Sequence, residues 1–171
     1  MSLPTPPATS ASRLPPGQKR ESHLPVRTFG RTPELDPATW RLGVFGLVEA
    51  PVELALPAFR GLPRTRATSD LHCVTQWSRL DNGWEGVPAR DVIALARPLA
   101  GARFATIHCY GGFSTSLDLE TLTAGDTLLA DRLDDRDLTP DHGWPVRLVV
   151  PSRYAYKSAK WVMGIEITAD E

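Results

Sequence analysis

The sequence predicts a single α+β domain, mixed in character and dominated by strands. Three observations carry that expectation. Short apolar runs recur with a two-residue period, helical periodicity is confined to brief stretches, and 16 prolines and 13 glycines divide the chain into short elements and turns. A length of 171 residues with 42% apolar content suits one domain with a real core.

Residues 1–25 are rich in Pro, Ser and Thr and poor in large apolar groups. Such a segment buries too little surface to offset its ordering entropy, so it reads as an extended tail against a domain spanning 26–171. From Trp40 to Val44 apolar and small or polar residues alternate, the signature of a half-buried strand. Residues 104–108 form a short β-rich run, and 146–150 form another, closed by Pro151. Trp161, Met163, Ile165 and Ile167 alternate toward the C-terminus, and 127–130 reads as a fifth strand. Pro88 suits the first turn of a helix over 90–97, with Val92, Leu95 and Ala96 on one face. Residues 117–122 fit a short helix or a strand equally. The acidic run 131–137 reads as a solvated loop. No parallel βαβ repetition is visible, which argues against a doubly wound sheet.

A net charge of −1 gives no sign of a nucleic-acid partner, and no apolar run is long enough for a membrane-spanning helix. The first twenty residues contain neither an apolar export core nor a twin arginine, so the expectation is a cytoplasmic chain. Two cysteines, Cys73 and Cys109, do not make a disulfide framework.

Each cysteine is therefore a buried small hydrophobe or a chemical group. Cys109 falls in an apolar strand and reads as packing. Cys73 offers a soft thiolate, suited to a transition metal or to nucleophilic attack. The pairs His72-Cys73 and His108-Cys109 argue poorly for zinc, because strand neighbours point to opposite faces and no C-x-x-C or H-x-x-x-H spacing occurs. A Cys–His hydrolase remains open, since His108 or His142 could approach Cys73 through the fold. Between positions 147 and 160, Arg147, Arg153, Lys157 and Lys160 accompany Gly143 and Ser158. That is either an anion cradle of forked guanidinium and turn N–H groups or a solvated basic surface. Arg147 alternates with Val146 and Leu148, so it leaves the core face of its strand.

Six motifs resemble the molybdopterin-binding oxidoreductase domain of the sulfite oxidase superfamily. They are Arg13-Leu-Pro-Pro-Gly-Gln18, Trp40-Arg-Leu-x-Val44 with Gly46-Leu-Val48, Cys73-Val-Thr-x-Trp-Ser78, Trp84-Glu-Gly-Val-Pro88, His142-Gly-x-Pro-x-Arg147 and Tyr156-Lys-Ser-x-Lys-Trp161. They stand in the family's order and cover about residues 12–171. The stand-alone bacterial members and the catalytic subunit of the periplasmic methionine sulfoxide reductase are the most similar.

The resemblance implies a molybdenum–molybdopterin cofactor (Mo-MPT) with Cys73 as the protein's ligand to the metal and the catalytic residue. It implies that His142 and Arg147 hold the pterin and its phosphate, and that Ser158, Ala159 and Lys160 wrap the phosphate end. Ser114 or Thr115 matches a position that touches the cofactor, and Phe29 and Gly30 lie where N-terminal contacts are expected. The implied reaction is oxygen-atom transfer on a small-molecule substrate, with electrons exchanged with a separate electron-transfer partner. Sulfite oxidases carry an Asn-Arg-Arg-type run just after the cysteine. Here the stretch is Val74-Thr-Gln-Trp-Ser78, with no cation before Arg79. That disfavours sulfite and favours an S-oxide or N-oxide. No haem or dimerisation domain fits in the length, so a monomer is expected. A cofactor carrier without turnover, and a metal-free thiol hydrolase, are the competing readings.

Overall fold

The computed structural model describes residues 13–171, so the start of the segment read as a tail lies outside the described residues. In chain order the elements are β1 (Lys19–Arg20), β2 (Arg41–Gly46), β3 (Val52–Ala55), α1 (Leu56–Arg60), β4 (Thr65–His72), β5 (Trp77–Pro88), α2 (Ala89–Ala96), β6 (Phe104–Cys109) and β7 (Ser114–Asp118). There follow α3 (Leu119–Leu122), β8 (Leu128–Leu133), β9 (Arg136–Asp137), β10 (Arg147–Val149) and β11 (Val162–Thr168), with single 3-10 turns at Pro140–His142 and Ala155–Lys157.

The strands form two sheets. One runs β1-β5-β8-β10, with β4 also paired to β5 and β9 to β8; the other runs β3-β2-β11-β6-β7. Only β1 with β5 and β2 with β11 are parallel among the described pairs. The mixed, strand-rich expectation holds, as does the exclusion of a doubly wound sheet.

The main core joins Leu42, Val44, Ile107 and Ile165 of one sheet to Val87, Leu129 and Leu148 of the other. The first sheet is buried on its second face as well. There Trp77, Trp84, Leu128, Ala130 and Val149 gather with Leu24, Leu71 and Cys73 in a separate apolar cluster. Strand alternation sends successive residues to the two faces, so Leu128 and Ala130 serve one cluster and Leu129 the other. This second face carries the site.

Several local expectations shift. The strand near the C-terminus has a bulge between Val162 and Gly164, which turns Val162 inward and leaves Met163 41% exposed. In α2 the buried face is Ala89, Val92, Ile93 and Ala96, while Leu95 is exposed and Pro88 stands one position before the helix. Residues 117–122 divide between the end of β7 and α3, where the Asp118 side chain accepts from the Thr121 N–H. Residues 131–137 are a hairpin rather than a loop. Asp134 and Asp135 both take positive φ, the two-residue turn that matches strand twist. Asp131 is buried and ion-paired with Arg60 and Arg64.

The register between β5 and β8 shifts at Gly86, where a Cβ would meet the Leu129 carbonyl at 2.0 Å. Gly86→Ala must therefore push two central strands apart. It should destabilise the chain by roughly 3 kcal/mol, the upper range for overpacking. Urea titration should show a lowered midpoint at unchanged slope; an unchanged midpoint would contradict this packing.

Candidate functional site

Cys73 directly follows β4 and opens a three-residue turn, Val74-Thr-Gln76, into β5. The Cys73 N–H donates to the Trp77 carbonyl at 2.8 Å, and the Gln76 N–H donates to the Cys73 carbonyl at 3.0 Å. Gln76 closes the turn in the left-handed region, at φ 70°. Leu71, Cys73 and Trp77 consequently share a face and enter the second apolar cluster. His72 points the other way, its Nδ1 lying 2.7 Å from the Ser78 hydroxyl. The Cys73 thiol is free, 7% exposed and 3.1 Å from the Thr75 hydroxyl.

The thiol lines a cavity of about 380 Å³ whose wall also includes Phe29, His142, Arg147, Ser158, Ala159 and Lys160. Seven of the sequence-predicted site residues thus meet around one space. Ser114, Thr115 and Gly30 are not among its lining residues. Ser114 and Thr115 pair with His108 and Ile107 in the other sheet, and Phe113, just before them, lines the cavity instead. Gly30 turns the chain at φ 71° directly after Phe29. Trp77, Tyr156 and Trp161 also line the wall; all belong to the quoted motifs, and their place in those motifs was the available signal. Thr28 and Leu24 had no such signal.

The basic segment divides in two. Lys157 donates to the Ser116 carbonyl, and Arg153 pairs with Asp118 at 3.2 Å, so neither serves the cavity. Arg147 leaves the main core face as expected but is buried on the second face, 4% exposed. Its guanidinium donates to the carbonyls of His142 at 3.0 Å and Ser158 at 2.9 Å, and lies 5.2 Å from the Trp84 ring centroid. Lys160 donates to the Asp141 carbonyl at 2.7 Å and the Thr28 hydroxyl at 3.0 Å, over the Trp161 ring.

Among the described residues, neither Arg147 nor Lys160 has a salt-bridge partner. Burial of both, and for Lys160 the neighbouring Arg147 charge, shows in their proton affinities. Burial pushes Arg147 down to about 10. Burial, then the Arg147 charge, pushes Lys160 down to about 8. Burial, then Arg147 and Lys160, lowers His142 and favours its neutral imidazole. A buried cation costs several kcal/mol unless compensated, and here compensation comes from carbonyl oxygens, the Thr28 hydroxyl and the faces of Trp84 and Trp161, with no carboxylate in a salt bridge. The site therefore favours an anion.

Gly143 makes the cradle possible. At φ 112° it lies where a Cβ would stand 2.8 Å from the Arg147 Cβ and 3.2 Å from that of Lys160. Trp77 adds a buried Nε1–H without a protein acceptor. Among the described residues no three His, Cys, Asp or Glu side chains gather into a metal site, so Cys73 is a single soft donor. One thiolate, an excess of buried positive charge and an orphaned donor fit an anionic group that brings most of its own metal ligands.

Comparison with known proteins agrees with that chemistry. Residues 29–171 match the family model of the oxidoreductase molybdopterin binding domain. The chain is 40% identical over 161 residues to the oxidoreductase YuiH of Bacillus subtilis (strain 168), covering 94% of this chain and 81% of that protein. It is 28% identical over 155 residues to the protein-methionine-sulfoxide reductase catalytic subunit MsrP of Campylobacter jejuni, covering 77% of this chain but only 50% of the relative. Its fold matches the crystal structure of the sulfane dehydrogenase SoxCD from Paracoccus pantotrophus with a TM-score of 0.75 at 24% identity, over 81% of this chain and 40% of that one.

The depressed Lys160 gives a pH test. Between about 8 and its ordinary value near 10.5, the unfolded chain retains a proton that the folded chain has lost. Stability of the cofactor-free chain should therefore rise with pH across that window. In urea titrations from pH 7.5 to 10, Lys160→Met should remove this rise relative to wild type. Added inorganic phosphate, which restores the charged lysine, should flatten it. Parallel profiles for wild type and variant would show that Lys160 is not charge-strained.

Proposed function

We propose, from the premise that this chain belongs to the oxidoreductase molybdopterin binding domain family, that it is a molybdenum–molybdopterin enzyme reducing a small neutral oxide. The observation that supports this most directly is the meeting of the Cys73 thiol with the uncompensated Arg147 and Lys160 in one cavity. Cys73 would supply a thiolate to molybdenum. Arg147 and Lys160 would hold the phosphate end of the pterin, with neutral His142 beside it. When bound, the group supplies oxygen-atom transfer coupled to a two-electron change.

The chain's own residues set the substrate. Val74 and Thr75 are the exposed groups that follow Cys73. The first cation, Arg79, is engaged by Asp134 and by Asn82 at 2.8 Å, so its charge is already spent. The stretch that follows Cys73 therefore offers sulfite no free cation of its own, whereas a sulfoxide or N-oxide needs none; the cations that line the cavity are Arg27, Arg147 and Lys160. Phe29 and Tyr156 add exposed aromatic surface to the cavity wall. Reduction of a sulfoxide consumes two electrons and two protons and releases a thioether and water. The electrons would come from a separate partner, and the chain would act as a monomer.

The test uses protein expressed in a host that makes molybdopterin, with a reduced viologen dye as donor and a panel of sulfoxides, N-oxides and sulfite. Turnover with an oxide and negligible sulfite oxidation is expected. Cys73→Ser should keep the wild-type circular dichroism spectrum and lose at least about a hundredfold in rate, since a metal ligand is lost. Full activity in Cys73→Ser, or activity without molybdenum, would contradict the assignment. Loaded protein that no oxide reoxidises would identify a cofactor carrier instead.

A further inference from the structure

The segment ahead of the family-matched region straps the cysteine hairpin. β1 pairs in parallel with Trp77 and Ser78; the Lys19 N–H donates to the Gln76 carbonyl at 2.9 Å and the Glu21 N–H to the Ser78 carbonyl at 2.8 Å. Arg13 anchors the strap at the base of the hairpin, with Nε 3.1 Å from Asp70 and a terminal nitrogen 2.9 Å from Asp81.

Gln18 is the residue that reaches the cysteine turn. Its Nε2 donates to the Cys73 carbonyl at 3.0 Å, and its Oε1 accepts from the Ser78 hydroxyl at 2.9 Å. Ser78 is fully buried, and its oxygen lies 2.7 Å from His72 Nδ1. With the serine proton committed to Gln18, the imidazole must donate at Nδ1, a tautomer assigned by this donor count. The Cys73 carbonyl also accepts from the Gln76 N–H, so both of its lone pairs are used. A primary amide meets this demand because it carries a donor and an acceptor on one planar group; a carboxylate of the same shape has no donor for the Cys73 carbonyl.

We infer that Gln18 is a positioning residue for Cys73. By fixing the peptide on which Sγ is mounted, it presents the thiol to the cavity in one orientation. It acts through the Cys73 backbone and the Ser78 hydroxyl and is not among the residues lining the cavity. The meaning of this for metal binding rests on the function proposed above; the orientation of the thiol does not.

The test compares Gln18→Met, Gln18→Glu and Arg13→Met with wild type. In cofactor-free protein, the rate of Cys73 modification by dithiodipyridine is followed by peptide mass spectrometry, with buried Cys109 as internal reference. In loaded protein, the visible thiolate-to-metal absorption band is recorded. Both Gln18 variants should change the Cys73 rate by roughly threefold to tenfold, the range expected for one lost hydrogen bond, and should shift the band. Arg13→Met loosens the strap but leaves the amide in place, so it should lower the thermal midpoint without changing the rate. Gln18→Glu preserves shape and therefore still reports if Gln18→Met fails to fold. Unchanged rates in the Gln18 variants, or an equal change in Arg13→Met, would overturn the inference. An altered rate in protein that binds no molybdenum would keep the positioning role and refute only the cofactor assignment.

Discussion

The buried guanidinium of Arg147 organises this molecule. It sits on β10, the end strand of a sheet covered on both faces, and it receives only carbonyl oxygens and the face of Trp84. Its two strongest bonds go to His142 and Ser158, which belong to separate loops on either side of the strand. One charge thereby draws both loops against the same wall. The Leu148 N–H donating to Ala159, and the Ser158 hydroxyl accepting from the Val150 N–H, complete the attachment. Lys160 is then carried to the cavity beside a like charge, which no local interaction would favour in an isolated peptide. A cation buried at such cost, without a carboxylate, makes physical sense when an anion supplies the missing compensation.

The two-sided burial of the first sheet links this anion site to the thiol. A strand with only one buried face would leave Arg147 in water and Cys73 on a solvated turn. Here the second face has its own apolar cluster, and Cys73 and Trp77 enter it from the hairpin while Ala130 enters it from β8 and Val149 from β10. The strap 13–24 contributes Leu24 to that cluster and Gln18 to the turn, so the cavity wall is assembled from segments far apart in sequence. Such a wall needs the whole fold.

The strands around residues 41–46, 104–109, 147–149 and 162–168 were legible because their alternation faces one continuous core. β4 was not, since Thr65–His72 is rich in polar groups and lies at a sheet edge, where packing imposes little pattern. β5 was hidden by Asp81-Asn-Gly83, which reads as a turn; Asp81 does take φ 56°, yet pairing continues past it. The Met163 and Leu95 misplacements have different causes: a bulge in the first case and the packed face of the helix, Val92, Ile93 and Ala96, in the second. At the site, residue chemistry alone indicated a thiol and a basic segment but could not choose among four cations. Burial chooses Arg147 and Lys160, whereas Arg153 and Lys157 find partners on the surface. Cys73, His142 and the 158–160 loop were legible through the family motifs, while Ser114 and Thr115 fell one and two residues past the lining Phe113.

The proposed role of Cys73 as the protein's own ligand to a pterin-bound molybdenum is open to direct measurement. X-ray absorption at the molybdenum edge tests it most directly, on protein purified from a molybdopterin-producing host alongside its Cys73→Ser variant. Three sulfur neighbours per metal are expected in the wild type, two from the pterin dithiolene and one from Cys73, and two in the variant. Equal sulfur counts in the two proteins, or a wild-type preparation that folds and takes up no molybdenum, would contradict it.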